Sequence, residues 1–377
     1  MDDSEIPDLF SRSTETSMVP IRYSHNMIRE IFEEPAAVRK TIDAERGRTQ
    51  KIAHEIASAG YEMIYITGSG TSYHAGLASQ YALANLTDLM TSIVPASEFQ
   101  RWVPSKMPRK VLLIAISQSG ESSDLLEAVN AALDRGMTVL AVTNSPRSTL
   151  ARVSRYHLLP RSGKEEAVPA TKTYVTQLMS IFMLSTELAT ETIGPEELAN
   201  VRNGLYEAPK FLEKTLKSLN SQIQEIAERY RDKNLLFLLG SGPNYATALE
   251  GALKLKETCT IYAEGFAIRE FLHGPMRLVD ERTVVAMVVS PDEIGAYSSL
   301  GKSLRDFGAP VILISEETEP SVKLSESWDE AILVPPGLPK VFSPILYIIP
   351  LQLFAYYSAV IRGLNPDKPE KLTKVVK

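Results

Sequence analysis

Short, unbroken apolar runs alternate along the chain with stretches whose apolar residues recur every three or four positions. Residues 63–68 (MIYITG), 111–116 (VLLIAI), 138–142 (TVLAV) and 156–159 (YHLL) are runs of the first kind. Rich in Val, Ile and Leu and not alternating, they read as strands buried on both faces, as in a parallel sheet covered by helices. The intervening residues 123–136 (SDLLEAVNAALDRG) have helical spacing. The rhythm then repeats. Residues 234–245 (NLLFLLGSGPNY) follow 62–73 at an offset of 172, with Gly240-Ser241-Gly242 matching Gly68-Ser69-Gly70 and Tyr245 matching Tyr73. TVVAMVVS trails VLLIAIS by 173, PVILIS trails TVLAVT by 172, and EAILVPP follows YHLLP slightly later. Four matching runs at one spacing indicate an internal duplication. The expected fold class is α/β: two tandem doubly wound, flavodoxin-like parallel-sheet domains, with a helical N-terminal segment and a C-terminal tail. The boundaries read as 1–58 (a flexible lead-in, then helices interrupted near Pro35), 59–205 (first domain) and 206–377 (second domain). A helical joint is expected over about 177–233.

Residues 342–361 (FSPILYIIPLQLFAYYSAVI) run twenty positions without a charge, long enough to span a membrane. Pro344, Pro350, Gln352 and the tyrosines favour a buried core helix, expected to start after Pro350. The acidic, polar N-terminus is unlike a signal peptide. A cytoplasmic protein without membrane association is expected.

In a parallel sheet, ligand loops lie at the carboxyl ends of the strands, beside helix N-termini. Residues 68–76 (GSGTSYHAG) and 117–124 (SQSGESSD) place Thr71, Ser72, Ser117, Ser119, Ser122 and Ser123 there. One such loop reads as helix capping, but two after successive strands read as a phosphate cup. Neither glycine loop carries a dinucleotide fingerprint, and no P-loop motif occurs. The second half is poorer: Pro243-Asn244 replace the hydroxyl pair, and Ser290-Pro291-Asp292 replaces the serine-rich loop.

The second half carries other chemistry. Glu250, Lys254 and Glu257 fall four and three apart in LEGALKLKETC (249–259), so a helix puts them on one face. By itself that spacing is also that of a salt-bridged surface helix. His273 precedes Gly-Pro, in a tight loop where it is either a structural hydrogen-bonder or a proton shuttle. A carboxylate, a lysine and a histidine near a phosphate cup suit proton transfer beside a carbonyl.

Composition narrows the classes. Forty Lys+Arg against 46 Asp+Glu leave a net charge of −6, with no extra basic helix-turn-helix segment, which argues against nucleic acid. One cysteine, Cys259, and five histidines exclude a disulfide framework and make a protein-only metal site unexpected.

In eight ordered blocks the chain resembles the sugar isomerase (SIS) superfamily, specifically the isomerase part of glucosamine-6-phosphate synthase and the SIS-type glucosamine-6-phosphate deaminases. The blocks are NMIREIFEEPAAVRKTI (26–42), GSGTSYHAG, ISQSGESSD, ATKTYVTQ (170–177), ALEGALKLKE (248–257), HGP (273–275), IPLQLFAY (349–356) and PDKPEKLTKVV (366–376). The resemblance implies a phosphosugar cup of Thr71, Ser72, Ser117, Gln118, Ser119 and Ser122, with Val168 against the sugar. It implies Glu257 as the C1–C2 proton-transfer base, Lys254 beside it, and Lys374 as the lysine that forms a Schiff base with the open ketose. It also implies His273 as the ring-opening group reaching across a homodimer, and no cofactor. Departures from the synthase pattern are Ala170 for serine, Ser122 for threonine, Glu370 for arginine and Ser69 for cysteine. The synthases draw ammonia from a glutaminase domain with an N-terminal cysteine; here about twenty polar residues precede the match, and the sole cysteine is Cys259. The expected activity is therefore conversion of glucosamine 6-phosphate to fructose 6-phosphate and ammonia. Alternatives are a deglycase of 6-phosphorylated fructosyl amines, a stand-alone isomerase subunit of the synthase, and a non-catalytic phosphosugar sensor.

Overall fold

The computed structural model describes residues 23–107, 110–325 and 328–374; the lead-in expected over about the first twenty residues lies outside them. Two five-stranded sheets, parallel throughout, organise the chain. The first joins β1 (Met63–Gly68), β2 (Met90–Pro95), β3 (Val111–Ile116), β4 (Thr138–Val142) and β5 (Tyr156–Leu158) in the order β2-β1-β3-β4-β5. The second joins β6 (Leu235–Gly240), β7 (Tyr262–Ala267), β8 (Thr283–Val288), β9 (Val311–Glu316) and β10 (Glu330–Val334) in the order β10-β9-β8-β6-β7. Read from the opposite edge, the second order is the first with every strand replaced by its repeat. All residues of β3 and β8 are buried, as continuous apolar runs in a covered parallel sheet require.

Sequence pattern missed one strand in each half, β2 and β7. Both are sheet edges, start 172 residues apart and are largely half-exposed. An edge strand buried on fewer sides needs no continuous apolar run, so MTSIVP and YAEGFA carry no such signal.

Two helices precede the first sheet: α1 (Asn26–Phe32) and α2 (Glu34–Ala59), separated at Glu33 with Pro35 in the first turn of α2, where its missing N–H costs nothing. α3 (Thr71–Leu86) follows β1, α4 (Ala96–Trp102) follows β2, α5 (Ser123–Asp134) follows β3 and α6 (Thr149–Val153) follows β4. The joint consists of α7 (Lys172–Leu188), every residue of which is buried, α8 (Pro195–Tyr206) and α9 (Ala208–Arg229). In the second half come α10 (Asn244–Cys259), α11 (Ile268–Phe271), α12 (Ile294–Asp306), α13 (Glu319–Lys323) and α14 (Pro344–Ile361). One apolar core runs through α2, α3, α7, α9, α10 and α14 and binds the two halves together.

The apolar segment near the C-terminus is α14, and it begins at Pro344, not after Pro350, which lies inside it. An interior proline costs about 3 kcal/mol. Ile345, Leu346, Ile348 and Ile349, all fully buried in the turns before it, each contribute about 1.5–3 kcal/mol by burial, so packing outweighs the lost hydrogen bond. Burial also accounts for the run's apolarity: Lys340–Ile361 has the length and hydropathy of a membrane span, but 83 % of its 18-residue apolar window is enclosed by the fold.

Candidate active site

The strand order reverses direction at β1, whose neighbours β2 and β3 both follow it in sequence. Loops leaving β1 and β3 therefore diverge and open a crevice at the carboxyl edge of the sheet. A cavity of about 320 Å³ lies there, the lower range for a small-molecule site. Gly68 and Gly70 shape its first wall. A Cβ on Gly68 would meet the Ser72 backbone at 3.0 Å, and Gly70 has φ +53°, so the chain turns tightly into α3.

Thr71, Ser72, Ser117, Gln118, Ser119 and Ser122 all line this cavity, and two helix N-termini, of α3 and α5, start on its wall. Ser122 is the N-cap residue of α5 but makes no side-chain cap bond, so its hydroxyl is not spent on the helix. Ser117 and Ser119 hydroxyls accept from the N–H groups of Gly120 (3.0 Å) and Glu121 (3.2 Å), which leaves their O–H protons free to donate. Thr71 differs: its hydroxyl donates to Glu250 Oε1 (2.9 Å) and accepts from Lys254 Nζ (3.2 Å). Its hydroxyl is thus engaged by two residues of the second half.

Glu257 and Lys374 line the same cavity, from α10 and the C-terminal tail respectively, as does Val168. Behind Glu257 the predicted face of α10 is real but is not a surface. Glu250 and Lys254 are fully buried, so the salt-bridged surface helix is excluded. Lys254 Nζ lies 3.3 Å from Glu250 Oε1 and 2.5 Å from Glu257 Oε2. Burial disfavours its charge, but the two carboxylates prevail and raise its pKa above the ordinary lysine value. Burial likewise opposes ionisation of Glu250, yet Lys254, with His74 and Thr71, holds its pKa below the usual carboxylate value. Lys254 does not line the cavity; it acts on Glu257 from beneath.

Two residues of this centre were not singled out from sequence. His74 Nδ1 lies 2.7 Å from Glu250 Oε2; it sits four residues before Ala78 on α3, inside a quoted block but with no role given to it. Glu165, buried on the loop before α7, lies on the cavity wall and accepts from Lys374 Nζ (2.6 Å), Thr173 Oγ1 (2.7 Å) and the N–H groups of Thr171 and Thr173. Burial pushes its pKa up, but the lysine and these donors bring it below the usual carboxylate value. Lys374 Nζ also donates to the Ala167 carbonyl at 2.7 Å. Glu165 lies in a stretch where a lone Glu has no periodic or motif signal.

His273 is not part of the cavity wall of its own chain. It lies exposed in a turn between α11 and Pro275, beside Gly274 at φ +144°. Cys259 is buried, and burial pushes its thiol up to about 11, which keeps it un-ionised at neutral pH.

The duplicated sheets and the shared crevice agree with the comparisons. A model of the SIS domain matches residues 55–186 and again 229–362, and the chain belongs to the SIS-domain family, with two copies in tandem. It is homologous to the isomerase part of a larger aminotransferase. The glutamine–fructose-6-phosphate aminotransferases (isomerizing) of Thermococcus kodakarensis and Methanothermobacter thermautotrophicus are 38% and 39% identical to it over 94% of its length. The chain spans 58% of each of those relatives. The C-terminal domain of glucosamine-fructose-6-phosphate aminotransferase from Francisella tularensis superposes with a TM-score of 0.83 at 30% identity, covering 92% of this chain and 99% of that one. A glucosamine-6-phosphate deaminase from Thermotoga maritima shares the fold, with a TM-score of 0.74 at 22% identity over 93% of this chain and 99% of its own.

Proposed function

We propose that this site interconverts glucosamine 6-phosphate and fructose 6-phosphate, with ammonia leaving or entering at C2. One observation carries the reading: Glu257 from the second half and Lys374 from the tail line the same cavity as the hydroxyl-rich loops of the first half. The phosphate would take the serine hydroxyls and the N–H groups at the starts of α3 and α5. With the sugar open, Glu257 removes the proton from C2 of the amino-aldose and returns it to C1, while O1 gains a proton and the amine loses one. The product is a C2 imine, which water hydrolyses to the ketone and ammonia. Lys254 pairs with Glu257 from the side away from the cavity and orients its carboxylate. Lys374 would condense with C2 of the ketose, with Glu165 as the adjacent proton acceptor. Ring opening would fall to His273 of a second copy, since in its own chain that residue stands apart from the cavity.

The test is ammonia and fructose 6-phosphate release from glucosamine 6-phosphate, with exchange of the fructose 6-phosphate C1 proton in D2O as a readout independent of direction. No release, no exchange, and Glu257→Gln equal to wild type would together sink the reading. A second reading, synthesis by a stand-alone isomerase subunit, is supported by the names of the 38–39% identical relatives. It predicts glucosamine 6-phosphate formation from fructose 6-phosphate and added ammonium, faster than the reverse. A deglycase would instead release an amine from a 6-phosphorylated fructosyl amino acid; Ala170 on the cavity wall leaves room at that end.

A further inference from the structure

The tail that carries Lys374 is held by a clasp centred on Asp367. That residue is buried, seven positions before Lys374, and its two carboxylate oxygens accept from the backbone N–H groups of Asn26 (2.8 Å) and Met27 (2.7 Å), the first residues of α1. Its own carbonyl accepts from the N–H of Val168 at 2.8 Å. One turn further along α1, the buried Glu30 carboxylate accepts from the N–H groups of Glu166 and Ala167. The loop so held presents Glu165 and the Ala167 carbonyl to Lys374 Nζ. The connections close a ring: α1 to Asp367, along the tail to Lys374, through the 165–168 loop, and back to α1 at Glu30. Within the tail, Lys371 has φ +66°, a left-handed conformation that a side-chain-bearing residue keeps only where its surroundings impose it.

We infer that α1 is a splint and Asp367 a positioning residue: together they hold Lys374 at the distance and angle from which its amine reaches C2 of the bound sugar. The inference rests on the proposed Schiff-base role of Lys374 and adds a group that never touches substrate. Positioning of this kind matters because small displacements of a reacting group cost large factors in rate.

The experiment uses the full chain and three variants, Asp367→Ala, Asp367→Asn and Glu30→Gln. Borohydride reduction in the presence of fructose 6-phosphate traps the imine formed when Nζ attacks C2 and water leaves, as a secondary amine on Lys374. Binding of sorbitol 6-phosphate, which has the phosphate but no carbonyl, reads the cup alone. Trypsin cleavage after Lys371 reads release of the tail. Asp367→Ala is expected to slow trapping and kcat at least about tenfold, to speed cleavage after Lys371, and to bind sorbitol 6-phosphate within about threefold of wild type. Asp367→Asn, whose amide oxygen still accepts one N–H, should recover part of the loss, and Glu30→Gln should show a smaller loss. Trapping and cleavage at wild-type rates in Asp367→Ala would overturn the inference. So would unfolding of all three variants, which would make the clasp a stability element alone. Absence of trapping in wild type would refute the Lys374 role itself, and the clasp would then stand or fall on the cleavage rates.

Discussion

The two halves share strand order, glycine loops and spacing, yet their carboxyl-end loops have opposite characters. In the first half the loop hydroxyls line an open cavity. In the second half the equivalent loops are occupied by the chain itself. Ser241, the counterpart of Ser69, donates to Glu293 Oε2 at 2.7 Å, and Lys340 pairs with Asp292 (2.9 Å) and Glu293 (3.3 Å). A side-chain carboxylate thus takes the hydroxyl donor that an anionic ligand could use. The helix after β6 instead packs across the core: on α10, Glu250 meets Thr71 and His74 of α3, Lys254 meets Thr71, and Glu257 pairs with Lys254. The duplication has thus left one open cavity, lined from both repeats.

The largest expected effect tests that shared lining. Glu257→Gln should lower kcat by about 10²–10⁴ with KM nearly unchanged, measured as C1–C2 proton exchange. An equal loss of phosphosugar affinity would instead place Glu257 in binding. Next comes the buried charge cluster. Lys254→Met leaves two carboxylates facing one another without their cation, and should cost about 3–5 kcal/mol in urea unfolding. The sign with pH follows from Glu250. Its folded pKa lies below the ordinary carboxylate value of 4.5, so its contribution is complete above that pH and is lost as pH falls through the folded value. Stability measured from pH 7 to pH 3 should therefore fall on the acid side, and the fall should flatten in a Glu250→Leu/Lys254→Met double variant.

A smaller effect separates the two sets of loops. Ser117→Ala combined with Ser119→Ala removes two donors to a charged phosphate and should raise KM by about tenfold or more. Ser241→Ala, the change at the filled cup, should leave KM where it is. A matching rise for Ser241→Ala would mean that the second cup also takes part in binding. The smallest effect is Lys340→Ala, which breaks an exposed pair and should alter stability by less than about 1 kcal/mol in the same unfolding assay.

Much of the architecture was legible because burial on both sides of a parallel sheet leaves an unbroken apolar run. The two strands that were missed, β2 and β7, are the edges where that pressure is weakest. Pro350 misled for the opposite reason: a local rule about proline yields when the flanking turns are buried deeply enough. At the site, the serine loops were legible from their place after β1 and β3. The spacing of Glu250, Lys254 and Glu257 showed a shared face but not its burial, because solvated and buried ion pairs have the same periodicity. Glu165 and His74 had no pattern to betray them; each matters through a partner more than 170 residues away in sequence.

Local order, then, was largely determined by the sequence alone: where the buried strands and most helices fall, that they recur at about 172 residues, and which loops are rich in hydroxyls. These follow from nearest-neighbour sterics and from the periods of burial. Which repeat keeps an open cup, and that Glu257, Lys374 and Glu165 converge on it, only the tertiary structure decided. Such convergence is set by the packing of α3 against α10 and by the clasp at Asp367, contacts between positions that no local period relates.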